Sequence, residues 1–257
     1  MLHHTKFGWK PDVPDFRDYD YASTRMKIEK PRVLPKLIDL RPSFGPCEDQ
    51  GDLGSCTAHG ISGAIEFDRV KQNLPQFEVS RLFIYYNERV AEGTVNSDEG
   101  AYIRTGIKSV VSDGYCHESL WPYDVSKFKD KPDTSAYNEA VKYKALSYYR
   151  IDNTKLMHLK SCLAGGFPFV FGISIYNSFY DADANKGIVP MPGAHDECLG
   201  GHCILCVGYD DSKELFTIRN SWGTQAGDNG YYYLPYNYLV NKDLTDDVWT
   251  IRGVTPI

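Results

Sequence analysis

The chain has 257 residues, of which 42% are hydrophobic and 24% charged, with a formal charge of -6 at neutral pH. That length buries a sizeable core without disulfide help, as one compact unit or two closely packed lobes. The acidic balance argues against nucleic acid as a partner, and without a long apolar run no membrane span is expected.

The opening Met1-Leu2-His3-His4-Thr5-Lys6 lacks the apolar core of a secretory signal, which favours a cytoplasmic location. From Phe7 to Asp18 the chain carries Pro11, Pro14 and several charges, so extended structure is expected over helix. Residues 1–34 have no apolar periodicity with which to build a lobe, yet Phe7, Trp9, Val13 and Phe16 need burial.

The stretch Gln50-Gly51-Asp52-Leu53-Gly54-Ser55-Cys56-Thr57-Ala58-His59-Gly60 is the centre around which the chain is organised. Gly51 and Gly54 permit tight turns upstream of Cys56. Downstream, Ala58, Ile61, Ile65 and Phe67 recur on one side through Val70, so a helix is expected to start near Cys56 with Ser55 or Gly54 in the capping position. A helix N-terminus offers partial positive charge and free N–H groups, both of which favour a thiolate. The Cys56 N–H and the Gln50 amide can together hold a developing oxyanion. Further helices are expected at 83–89 and 103–111, then a polar, lysine-rich connector at 126–132. Strand-like runs come next at 143–149, 167–175, 187–191, 202–209, 215–220 and 230–234, with one intervening helix at 155–163. A helical part followed by a β-rich part is an α+β arrangement.

A cysteine nucleophile needs a base, and the base an orienting group. His202 opens one apolar strand and Asn220 closes the next, and the short turn 210–213 between them brings the two side chains near each other. The Asn amide then fixes the imidazole tautomer. His59 lies nearest Cys56 in sequence but reads as structural, as do His117, His158 and His195. Cys198, His202, Cys203 and Cys206 superficially suggest zinc. On a strand, neighbours and residues three apart face opposite sides, so they do not converge, and neither metal nor cofactor is called for. The seven cysteines have no framework spacing, and mostly free thiols are expected.

These three blocks, Gln50 to Cys56, Gly201-His202 and Asn220-Ser221-Trp222-Gly223, resemble in order and separation those of the papain family of cysteine peptidases. The resemblance implies a two-lobe fold, helical in one lobe and β-barrel-like in the other, with the active-site cleft between them. It implies Cys56 as nucleophile, His202 as general acid/base, Asn220 as its orienting partner and Gln50 as the oxyanion-hole side chain. Trp222 would shield the Asn–His hydrogen bond. Gly100, Gly172 and Cys203 would line the substrate cleft, with an apolar or aromatic side chain preferred two residues before the scissile bond. Residues 35–257 would form the peptidase domain, roughly 45–125 helical and 126–257 β-rich. The segment 1–34 is far shorter than the helical prodomain of the lysosomal enzymes and looks like the extension of short-extension bacterial members.

Departures from the family pattern are Leu53 where a cysteine is usual, Thr57 where an aromatic residue is usual, and Gly201 in place of a frequent Asp or Asn. The family's commonest disulfide therefore cannot form. Protein or peptide substrates are expected, cut through a thioester acyl-enzyme. An acyltransferase or ligase on the same fold, and a catalytically silent binding protein, are the alternatives. Two placements of residues 1–34 remain open: across the substrate cleft as a built-in modulator, or on the back of a lobe as padding.

Overall fold

The computed structural model describes residues 6–22 and 33–257. After β1 (Leu37–Asp39), the first half is helical: α1 (Cys56–Lys71), α2 (Arg81–Glu92), α3 (Ile103–Ser112) and the short α4 (Thr134–Ala140). The second half carries β2 (Tyr148–Arg150), α5 (Leu156–Ala164), β3 (Phe169–Tyr176), α6 (Asp181–Ala184), β4 (Cys198–Asp210), β5 (Leu215–Arg219), β6 (Tyr231–Pro235), α7 (Tyr236–Val240) and β7 (Thr245–Ile251). Among the described residues no helix is long and apolar enough to cross a membrane.

The strands form one antiparallel sheet in the order β2-β7-β3-β4-β5-β6, with β1 added to the far end of β4. This sheet is open, where a barrel-like closure is expected from the sequence: β2 and β6 are its two edges and do not pair. The run at 187–191 is no strand, since only an isolated bridge from Ile188 to Tyr233 forms there. β7, which has no counterpart among the expected strands, lies between β2 and β3. Asp246 and Asp247 at its start are poor strand formers and hide it. Both instead accept hydrogen bonds from Arg150 on the neighbouring β2.

Two apolar clusters fill the molecule. One joins α1, α2 and α3 to Val170, Leu205 and Trp249 of the sheet, and the other fills the sheet's opposite side against α5 and α7. Helix α1 lies directly on β3 and β4. A Cβ at Gly60 would come within 2.9 Å of Val170 Cγ1, and one at Gly63 within 3.2 Å of Leu205 Cδ2. The helix thus presses its backbone against the sheet, and that distance sets where Cys56 ends up. Gly60→Ala is expected to destabilise the protein by about 1–3 kcal/mol through overpacking, read as a lowered midpoint in chemical denaturation.

Candidate active site

Cys56 is the first residue of α1, and Ser55 occupies the capping position. Ser55 makes no side-chain cap; its hydroxyl bonds the Tyr123 hydroxyl at 2.5 Å instead. The Tyr123 hydroxyl in turn donates to the Gln50 carbonyl at 2.8 Å, tying the turn before the helix to the helix start. The Cys56 side chain is fully buried, with the backbone N–H groups of Cys203, Gly8 and Thr57 near its sulfur. Burial pushes the thiol up to about 12, an effect that those N–H groups only partly offset.

His202 and Asn220 come together as the strand pairing expects. His202 Nε2 lies 2.8 Å from Asn220 Oδ1, which also accepts the Ser221 backbone N–H at 2.8 Å. A backbone N–H can only donate, so the atom facing it is the amide oxygen, and His202 must carry its proton on Nε2. That makes Nδ1 the nitrogen to which a thiol can pass its proton. Trp222 stacks on the His202 ring with centroids 4.9 Å apart and planes 24° from parallel. Both rings and Asn220 are buried, so water does not compete for the hydrogen bond.

Gln50 is anchored from both ends of its side chain. Its Oε1 accepts the Ser221 hydroxyl at 2.6 Å, and its Nε2 donates to the Leu53 carbonyl at 2.8 Å. The backbone of Gln50 also donates to the Ser221 carbonyl at 2.9 Å. Ser221 therefore orients Gln50 while its own N–H orients Asn220. The sequence reading assigns Ser221 no role, although it sits inside the Asn220-Ser221-Trp222-Gly223 block. A hydroxyl next to the Asn220 amide is the signal that would have found it.

Residues 6–10 of the chain itself lie over Cys56 and His202, between two walls. Trp9 N–H donates to the Gly201 carbonyl at 3.0 Å on one wall. On the other wall Ala101 N–H donates to the Gly8 carbonyl at 2.7 Å and Lys10 N–H to the Ala101 carbonyl at 3.1 Å, in parallel register. Gly100 has φ +71°, and any Cβ there would run into the Gly8 backbone. The Trp9 indole lies against Gly172, where a Cβ would collide with its ring, and its backbone meets Gly201 on β4, two residues before Cys203. Phe7 approaches His202 edge-on at 6.1 Å, and the Lys6 carbonyl is 3.4 Å from Gln50 Nε2. Gly100 and Gly172 thus touch the segment, Trp222 covers His202, and Cys203 meets Cys56 through its backbone N–H.

Past Trp9 the contacts turn ionic. The Trp9 indole N–H donates to Asp247 Oδ2 at 3.1 Å, and Asp12 N–H donates to the same oxygen at 2.7 Å. Arg104 reaches Asp12 at 3.4 Å and Asp18 at 2.7 Å, while Arg150 reaches Asp18 at 3.2 Å and Asp247 at 2.8 Å. Further on, residues 19–21 pair with the β2 edge through Arg150 N–H to Tyr19 and Tyr21 N–H to Arg150. Of the four aromatic or apolar anchors expected in this segment, Phe7 and Trp9 are used. Phe16 and Val13 instead face solvent.

A model of the papain family cysteine protease matches residues 34–248. The chain belongs to the papain family. An uncharacterised peptidase C1-like protein of Acanthamoeba polyphaga mimivirus is 41% identical to this papain-family chain, over 97% of the chain and 87% of its own length. Xylellain, a cysteine protease from Xylella fastidiosa, is 43% identical with a TM-score of 0.89, covering 97% of both chains. A procathepsin B from Trypanosoma congolense shares the fold at 16% identity and TM-score 0.75, over 99% of this chain and 87% of its own. This papain-family member carries seven free cysteines, six buried and Cys198 exposed.

Burial and the nearby Asp247 raise Asp12 to about 7, against the opposing pull of Arg104 and Arg150. Undocked, the same carboxyl titrates near 3.8. The docked segment therefore holds a proton that the undocked one releases, so docking is favoured as pH falls below about 7 and weakened above it. Asp12→Asn mimics the protonated form. At about pH 8 it is expected to slow labelling of Cys56 by a thiol reagent relative to the parent, with the difference shrinking as pH falls below about 7 and gone only below about 3.8.

Proposed function

We propose that this papain-family peptidase is an endopeptidase held latent by its own residues 6–22. The observation that carries the reading is the buried His202–Asn220 hydrogen bond beneath Trp222, next to a cysteine sulfur at a helix start. In the open enzyme the Cys56 thiol passes its proton to His202 Nδ1, and the thiolate attacks the scissile carbonyl carbon. The oxyanion forms between the Cys56 N–H and Gln50 Nε2. His202 returns its proton to the leaving amine, a water attacks the thioester while His202 accepts its proton, and the acid product leaves Cys56 as it began. Asn220 holds the imidazole in the tautomer this sequence needs, and Ser221 holds Gln50.

The pocket occupied by the Trp9 indole is the natural place for the substrate side chain two residues before the cut. Its flat apolar wall at Gly172 suits an aromatic group, and the fully buried Asp247 at its end accepts a hydrogen bond from the indole. An aromatic side chain bearing an N–H donor fits both features, whereas an acidic one faces a like charge. Residues 6–10 occupy the positions an extended peptide would need, which supports the modulator role over that of padding.

Cys56→Ala is expected to abolish peptide hydrolysis while leaving the fold intact; turnover in that variant would remove the assignment. Gln50→Ala is expected to lower kcat about a hundredfold or more, as other oxyanion donors do. A chain starting at Val33 is expected to cleave a short peptide with higher kcat/KM and to label faster at Cys56 than the full chain. Unchanged rates in a folded truncated protein would mean that the segment does not obstruct the site.

A further inference from the structure

Behind the triad, between α1 and the strands β4 and β5, lies a small cavity of about 20 Å³. His59, Glu66, Arg219, Asn220 and Ser221 are among its walls. Two of these present polar atoms that find no protein hydrogen-bond partner among the described residues: Nε2 of His59 and Nδ2 of Asn220. Both side chains are more than nine-tenths buried, His59 at 8% exposure and Asn220 at 4%.

The protonation of each atom is set by its neighbours. His59 Nδ1 lies 3.0 Å from the Ser55 carbonyl, which can only accept, so Nδ1 carries the proton. Burial pushes this imidazole down to about 4, so at neutral pH Nε2 is a bare lone pair. Asn220 Oδ1 is engaged by His202 and by the Ser221 N–H, so its Nδ2 offers two hydrogens on the opposite side. An acceptor and a donor therefore line one cavity whose volume suits a single water molecule. Leaving both unmet would cost about 1–3 kcal/mol each.

We propose that a buried water in this cavity accepts from Asn220 Nδ2 and donates to His59 Nε2, which makes His59 a positioning residue for the triad. The inference rests on the triad reading. The amide of Asn220 is then held at both ends, its oxygen by His202 and Ser221 and its nitrogen through the water by His59. The rotation that would present Nδ2 to His202 is disfavoured, and His202 keeps its proton on Nε2. His59 sits one helical turn beyond Cys56, so the helix that places the nucleophile also steadies the third member of the triad.

The test compares His59→Gln, which keeps an acceptor oxygen, with His59→Leu, which does not, both in the full chain. Readouts are kcat and KM on a short peptide and the pH profile of Cys56 labelling by iodoacetamide. His59→Leu is expected to lower kcat about tenfold, the effect of one buried hydrogen bond, with KM unchanged. Its labelling profile should move to higher pH, and His59→Gln should restore both. Equal behaviour of the two variants, whether both intact or both impaired, overturns the proposal. A high-resolution structure of the parent gives a second reading that needs no variant. A water within hydrogen-bond distance of both atoms supports the bridge, and a dry cavity overturns it. Failure of the triad reading itself would appear separately, as hydrolysis retained by Cys56→Ala.

Discussion

The distance between the first turns of α1 and the strand β4 governs the site. Glycines at 60 and 63 let the helix backbone settle against Val170 and Leu205. At that separation the Cys56 sulfur lies near the Cys203 N–H, one residue from His202. Cys56 comes from a helix in one apolar cluster and His202 from a strand shared with the other. Neither residue's local sequence brings them together. The contact between the two halves does so, and dispersion and apolar burial across it hold the geometry that the chemistry needs.

The occupant of the cleft is held by two kinds of force at different places. Near Cys56 the bonds are backbone to backbone, from Gly8 to Lys10 against Ala101 and Gly201, and they would serve almost any extended chain. Farther along, selectivity comes from side chains: the Trp9 indole on Asp247, then Asp12 and Asp18 against Arg104 and Arg150. Arg150 is the pivot, because it pairs with Asp18 of the segment while also holding Asp246 and Asp247 of β7. The wall of the cleft and the chain that fills it thus share one charge network.

Much of this site was legible in the sequence because its parts are local. The turn-then-helix pattern around Cys56, the strand that carries His202 and the one that ends just before Asn220 all arise from short-range periodicity and turn chemistry, although β4 begins at Cys198, four residues before His202. The hidden parts depend on long-range contact. Asp247 lies on a strand whose acidic start contradicts strand propensity, and its donors, Arg150, the Trp9 indole and the Asp12 N–H, all come from far away in the chain. Ser55 reads as a helix cap but turns to Tyr123, a partner that no local rule supplies. The expected closed barrel is an open sheet, since alternation within strands says nothing of whether the outer two meet. In the N-terminal segment the need to bury Phe7 and Trp9 was visible, but composition could not show that Phe16 would stay outside.

The parallel pairing of Trp9 with Ala101 belongs to a segment joined covalently to the enzyme it occupies. Such an occupant acts at an effective concentration set by covalent continuity, which can reach the order of millimolar, whatever the concentration of the protein. Diluting the enzyme leaves its occupancy unchanged, and a diffusing peptide at micromolar levels competes at a disadvantage of about a thousandfold before any difference in contacts. A single cut in the connection would turn the same contacts into those of a separate ligand, whose departure then obeys mass action. The strength of the individual bonds in the cleft need not be great for the uncut chain to stay closed, and covalent continuity becomes a control variable in its own right.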